Sequence, residues 1–220
     1  MDKKSMPPNV VNITENSSRE DGCSFIDRPI AKLHKYYLSG PIKPASEYVQ
    51  WFENIRNLPE TDVVVLHINS EGGDVWAAIQ FLRVLQETKS LTIASVEGMC
   101  MSAATMIFLA CRRHEITQHS MFLFHNYSGV AIGKGGEMFD LVDHAKGWSE
   151  KLLRNVYGEF LTEHEIVDIL KGKDLYMSGE DVAKRMQLRQ SEQSLVSSAS
   201  KVKTKKNPKT TNSSSPKSKK

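Results

Sequence analysis

Residues 62–68, DVVVLHI, are β-branched or aliphatic almost without a break. A run of this kind is expected of a strand covered on both faces, as happens where helices cross over a parallel sheet. Its neighbours support that. Before it, Tyr48, Trp51, Phe52, Ile55 and Leu58 recur at helical spacing. After NSEGGD, Val75, Ala78, Ile79, Leu82 and Leu85 form a second helical stripe. KYYLSGPI reads as an earlier strand ending in a turn at Gly40-Pro41, and SLTIASV and SMFLFHN as later ones, with an apolar helix opening near Ser102 between them. Strand and helix alternate, which predicts an α/β fold with a parallel sheet and right-handed crossovers. A long helix is expected over about residues 136–160, with Met138, Leu141, Val142, Ala145, Trp148, Leu152 and Val156 on one side. Thr162 and Glu165 have capping-box spacing for a shorter helix, and Ser178 is placed to cap another.

With 220 residues, 40% of them hydrophobic, the chain has material for one sizeable core. It has no apolar run of about 18 residues, so no membrane span is expected. The first twenty residues lack the apolar centre of a secretory signal, and a cytoplasmic protein is expected. Cys23, Cys100 and Cys111 are odd in number and have no zinc-finger spacing, so they read as reduced thiols. Cys100, two residues from Ser102, is also an alternative nucleophile. The net charge of +3 is a property of the C-terminus. Residues 201–220 hold eight lysines and no acid, leaving 21 basic and 26 acidic residues, or −5, elsewhere. So polar a segment cannot bury enough surface to offset its ordering entropy. Disordered arms are therefore expected over residues 1–27 and 189–220, around a folded unit of residues 28–188. The basic tail is either solubilising or a contact for nucleic acid or an acidic partner.

Two motifs fail on spacing. In RRHEITQH, His114 and His119 are five apart, so on a helix they would diverge by roughly 140° and could not share a metal. GVAIGKGG is one residue short of a phosphate loop and lacks the Ser or Thr for magnesium. Neither a metal nor any other cofactor is expected.

Ser102, in VEGMCMSAATMIFLA, has two readings. It could cap the helix that follows, or act as a nucleophile where the free N–H groups of a helix favour developing negative charge. Ligands of α/β sheets collect beyond the carboxyl ends of the strands. Gly72-Gly73, Ser102 and His125 all fall at such ends, and a nucleophile, a base and oxyanion donors must converge from separate segments.

At these residues the chain resembles the Clp protease proteolytic subunit family, ClpP. The matching segments are YYLSGPI, HINSEGGDVWAAI, GMCMSAATMIFLA, MFLFHN and KDLYMSGEDVAKRM, in family order across about residues 30–187. The resemblance implies a ClpP/crotonase-like β-α spiral with a protruding handle helix. It implies a serine endopeptidase with Ser102 as nucleophile, His125 as general base and Asp174 orienting the imidazole. The backbone N–H groups of Gly73 and Ala103 would form the oxyanion hole. It also implies stacked heptameric rings, unfolded polypeptide or peptide substrates, and a separate AAA+ unfoldase that spends the ATP.

The chain departs from the family pattern at Glu71 in place of Pro, Ala103 in place of Met, and Asn126-Tyr127 in place of Gln-Pro. The usual Gly-Leu-Ile-Asp segment is absent after Met186. Two polar arms around a compact unit also fit an origin in a phage or mobile element. Two rivals stay open: a crotonase-like acyl-CoA enzyme, which needs no serine triad, and a non-catalytic ring or scaffold protein that binds through its tail.

Overall fold

A computed structural model describes residues 31–189, together with the backbone of two short strands, β1 (Arg19–Glu20) and β2 (Cys23–Ser24), which pair antiparallel. The rest of the expected N-terminal arm and residues 190–220 of the tail lie outside the described residues.

The main sheet is mostly parallel, with helices against it, as in the ClpP fold. Strands β3 (Leu33–Ser39), β4 (Val63–Ser70) and β5 (Leu91–Met101) pair in parallel. β5 then carries two parallel neighbours, β6 (Arg113–Ile116) along its first half and β7 (Met121–Phe124) along its second. β8 (Leu175–Ser178) closes the edge antiparallel to β7. Five helices follow the strands: α1 (Val49–Asn57), α2 (Val75–Glu87), α3 (Ala103–Ala110), α4 (Gly135–Tyr157) and α5 (Glu163–Leu170), with residues 179–189 also helical.

One face of the sheet is fully covered. Tyr36, Leu38, Val64, Leu66, Ile68, Ala94 and Val96 are buried there beside Phe52, Ile55, Phe81 and Leu85 of α1 and α2. The expectation of two covered faces for β4 holds only in part. Val65 is buried on the second face, but Asn69 is exposed, as are Tyr37 and Glu97 beside His67. The core face of α2 also differs from the expected stripe. Its buried residues are Ala77, Ala78, Phe81, Val84 and Leu85, while Val75, Ile79 and Leu82 are only partly buried. A helix this apolar packs against both α1 and α3, so periodicity alone does not select a face.

The third strand runs further than its sequence suggests. The expected strand SLTIASV ends at Val96, yet β5 continues to Met101 through a register shift: Ile68 pairs with Val96, and Ser70 pairs with Cys100. Asn69 Oδ1 accepts from the Met99 N–H at 3.1 Å, replacing the ladder bond that the bulge displaces. The strand therefore delivers Ser102 to the sheet edge instead of ending six residues earlier.

Both caps read from the sequence are present. Thr162 accepts from the Glu165 N–H while the Glu165 carboxylate accepts from the Thr162 N–H at 2.8 Å, and Ser178 Oγ accepts from the Asp181 N–H at 3.2 Å.

His114 on β6 gives the fold a pH limit. Its ring is largely buried, and its Nε2–H donates to the Phe108 carbonyl at 3.0 Å while Nδ1 has no partner among the described residues. Burial, aided by the positive charge of Arg189, lowers its pKa from 6.5 to about 4, against the opposing effect of the Phe108 bond. The unfolded chain then binds more protons than the folded one between those values. Stability is full above pH 6.5 and falls as pH drops toward 4, by about 3 kcal/mol. Thermal melts across this range should show the loss in the native protein and a much smaller one in His114→Gln.

Candidate active site

Ser102 sits between β5 and α3 in an unusual backbone conformation, φ 54° and ψ −128°. It is the single non-glycine residue with positive φ among the described residues. Such a conformation costs about 1–3 kcal/mol and persists only where the surroundings over-determine it. Here three segments do so. The Ser102 N–H donates to the Leu123 carbonyl on β7 at 2.8 Å, and the Ser102 carbonyl accepts from Thr105 N–H at 2.9 Å and Thr105 Oγ1 at 2.6 Å. Gly72 packs against the serine so closely that a Cβ there would lie 2.6 Å from Ser102 Cβ. The Ser102 hydroxyl does not cap α3.

Instead Ser102 lines a cavity of about 530 Å³ with Gly73, Ala103 and His125. His125 follows β7 directly, and its Nδ1 lies 3.8 Å from Asp174 Oδ1, at the start of β8. Asp174 is about half exposed and His125 a quarter exposed. The antiparallel β7–β8 pairing, Phe124 opposite Leu175, brings the two residues together. No hydrogen bond joins His125 to Ser102 among the described residues.

The two candidate oxyanion donors are also on the cavity wall. Ile42 bridges Gly73 in parallel through Ile42 N–H to the Gly72 carbonyl (2.7 Å) and Asp74 N–H to the Ile42 carbonyl (3.0 Å). That pattern uses the groups on either side and leaves the Gly73 N–H unspent. The Ala103 N–H opens α3, where no carbonyl one turn back is available to it. Gly73 has φ +144°, and a Cβ there would lie 2.5 Å from the Ile42 carbonyl oxygen.

α4 supplies the opposite wall through Leu141, His144, Trp148, Leu152 and Tyr157. Ser149 Oγ donates to Asn126 Oδ1 at 2.9 Å, tying the segment after His125 to this helix. Trp76 packs against Trp148 on the cavity wall, with ring centroids 4.9 Å apart and planes tilted by 33°. Sequence reasoning singled out Tyr127 as a departure after the histidine but missed Trp76 and His144. The available signal was an exposed Trp in the first turn of a helix, directly after Gly72-Gly73. Cys100 is fully buried away from the cavity, and burial pushes its thiol well above the usual range, so it is not a thiolate nucleophile in the fold.

Residues 42–188, about two thirds of the chain, match the family model Clp protease. The chain belongs to the Clp protease family. As a member it is a ClpP-like peptidase, and the match spans every segment that lines the cavity. No curated protein was found to match it. Among the described residues no helix is long and apolar enough to cross a membrane.

Proposed function

We propose that this Clp protease family member is a serine endopeptidase that cuts unfolded polypeptides or peptides inside a ring-shaped compartment. The observation that carries this reading is the strained, uncapped Ser102 on the wall of a cavity it shares with His125 and two unspent N–H groups. Ser102 Oγ attacks the peptide carbonyl carbon as His125 Nε2 takes its proton, and the Gly73 and Ala103 N–H groups receive the oxyanion. His125 then protonates the departing amine. A water molecule, activated by the same nitrogen, hydrolyses the acyl-enzyme and restores Ser102. Asp174 faces Nδ1, and closing the gap by about 1 Å makes the hydrogen bond that orients the ring. The chemistry needs no cofactor.

Residues 28–188 form the protease domain in this reading, with the arms outside it. The first half of α4 projects with Phe139, Leu141 and Val142 exposed, which supports ring-to-ring stacking through the handle helix. Enclosure would protect folded proteins from an unselective site, so a separate AAA+ unfoldase would feed it substrate in the cytoplasm.

The test is labelling of the native protein with a fluorophosphonate probe and mapping of the adduct by mass spectrometry. One adduct at Ser102 is expected, lost on heat unfolding and in His125→Ala. Folded, assembled protein that takes no label would overturn the proposal.

A further inference from the structure

Tyr157 ends α4, 52 residues beyond Thr105, and its hydroxyl lies 2.7 Å from Thr105 Oγ1. Both side chains are buried, at 2% and 0% exposure. The direction of the bond follows from its neighbours. Thr105 Oγ1 is 2.6 Å from the Ser102 carbonyl oxygen, which can only accept, so the single threonine proton goes there. The Tyr157 O–H must then donate to Thr105. Burial raises the phenol pKa, which keeps that proton in place.

The chain of bonds ends on the carbonyl of the peptide whose N–H belongs to Ala103. That peptide is trans, so its C=O and N–H lie in one plane and point in opposite directions. Clamping the carbonyl therefore aims the N–H. Donation to the carbonyl oxygen also polarises the amide and strengthens the N–H as a donor.

We propose that Tyr157 and Thr105 are positioning residues: the hydrogen-bond chain from the base of α4 through Thr105 to the Ser102 carbonyl holds the Ala103 N–H on the developing oxyanion. The proposal rests on the reading of Ser102 and Ala103 given above. Both side-chain hydroxyls are spent within this hydrogen-bond chain, so the effect falls on kcat. A group that only filled core volume would instead change stability and leave turnover of the folded protein intact.

Steady-state hydrolysis of a fluorogenic peptide by the full chain tests this, with thermal melts of each variant. Tyr157→Phe should lower kcat about tenfold and Thr105→Val about a hundredfold, each with KM within about twofold of the native value. Thr105→Ser, which keeps the hydroxyl, should restore most of the kcat lost in Thr105→Val. Native kcat in both Tyr157→Phe and Thr105→Val would overturn the proposal, as would a loss confined to KM or a Thr105→Ser protein as slow as Thr105→Val. If Tyr157→Phe does not fold, the two Thr105 variants decide the question. Activity surviving in Ser102→Ala would instead overturn the underlying reading of the site.

Discussion

Ser102→Ala should abolish peptide hydrolysis, lowering kcat by at least about 10⁴-fold, because nucleophile and base act as one unit and little remains once either is lost. The fold should survive. The Ser102 hydroxyl caps nothing, and the bonds that hold the residue in place are made by its backbone and by Thr105. Alanine keeps the strained φ of 54°, so its melting temperature should stay close to native. Ser102→Gly should be equally inactive yet more stable, by about 1 kcal/mol, because glycine accepts positive φ at little cost. Turnover and thermal melts of the three proteins check both statements. Native-like turnover by Ser102→Ala would remove the serine mechanism.

The second large effect is expected at Gly73. In Gly73→Ala the added methyl would stand 2.5 Å from the Ile42 carbonyl oxygen and 2.8 Å from its nitrogen, both rigid backbone atoms. One strand of the bridge must move, and the Gly73 N–H moves with it. Misplacing an oxyanion donor costs about 10²–10³-fold in kcat, so a loss of that size should appear with substrate affinity largely kept. Gly147→Ala is the control, since among the described residues nothing beyond its chain neighbours and the backbone of its own helix lies within 4 Å of the added methyl, and alanine favours a helix. Equal activity in the two variants would show that Gly73 has no part in the chemistry.

Much of this arrangement is written in short stretches of sequence. The apolar run at Val63–Ile68, the Thr162–Glu165 box and the apolar helix after Ser102 each depend on neighbours within a few residues, and each appears where the pattern puts it. What could not be read locally depends on distant partners. Gly98 looks like a turn until Asn69, 30 residues away, bonds across the bulge and lets β5 continue. β8 is four residues long and becomes a strand by pairing with β7, which also brings Asp174 to His125. The choice between cap and nucleophile at Ser102 depends on a backbone conformation that Leu123, Thr105 and Gly72 impose together. Thr105 and Tyr157 carry no sequence signal at all, since each would pass for an ordinary core residue.

The position of β8 in the chain has a consequence for biosynthesis. Ser102 and His125 leave the ribosome well before Asp174, and the strand that sets the acid beside the imidazole is the last of the sheet in chain order among the described residues. In the proposed mechanism a partly synthesised polypeptide would hold the nucleophile without a completed relay, while its own unfolded segments would be the nearest cleavable material. If Asp174 has the role proposed for it, its late place in the chain would delay activity until most of the domain has emerged, and so limit self-digestion during synthesis.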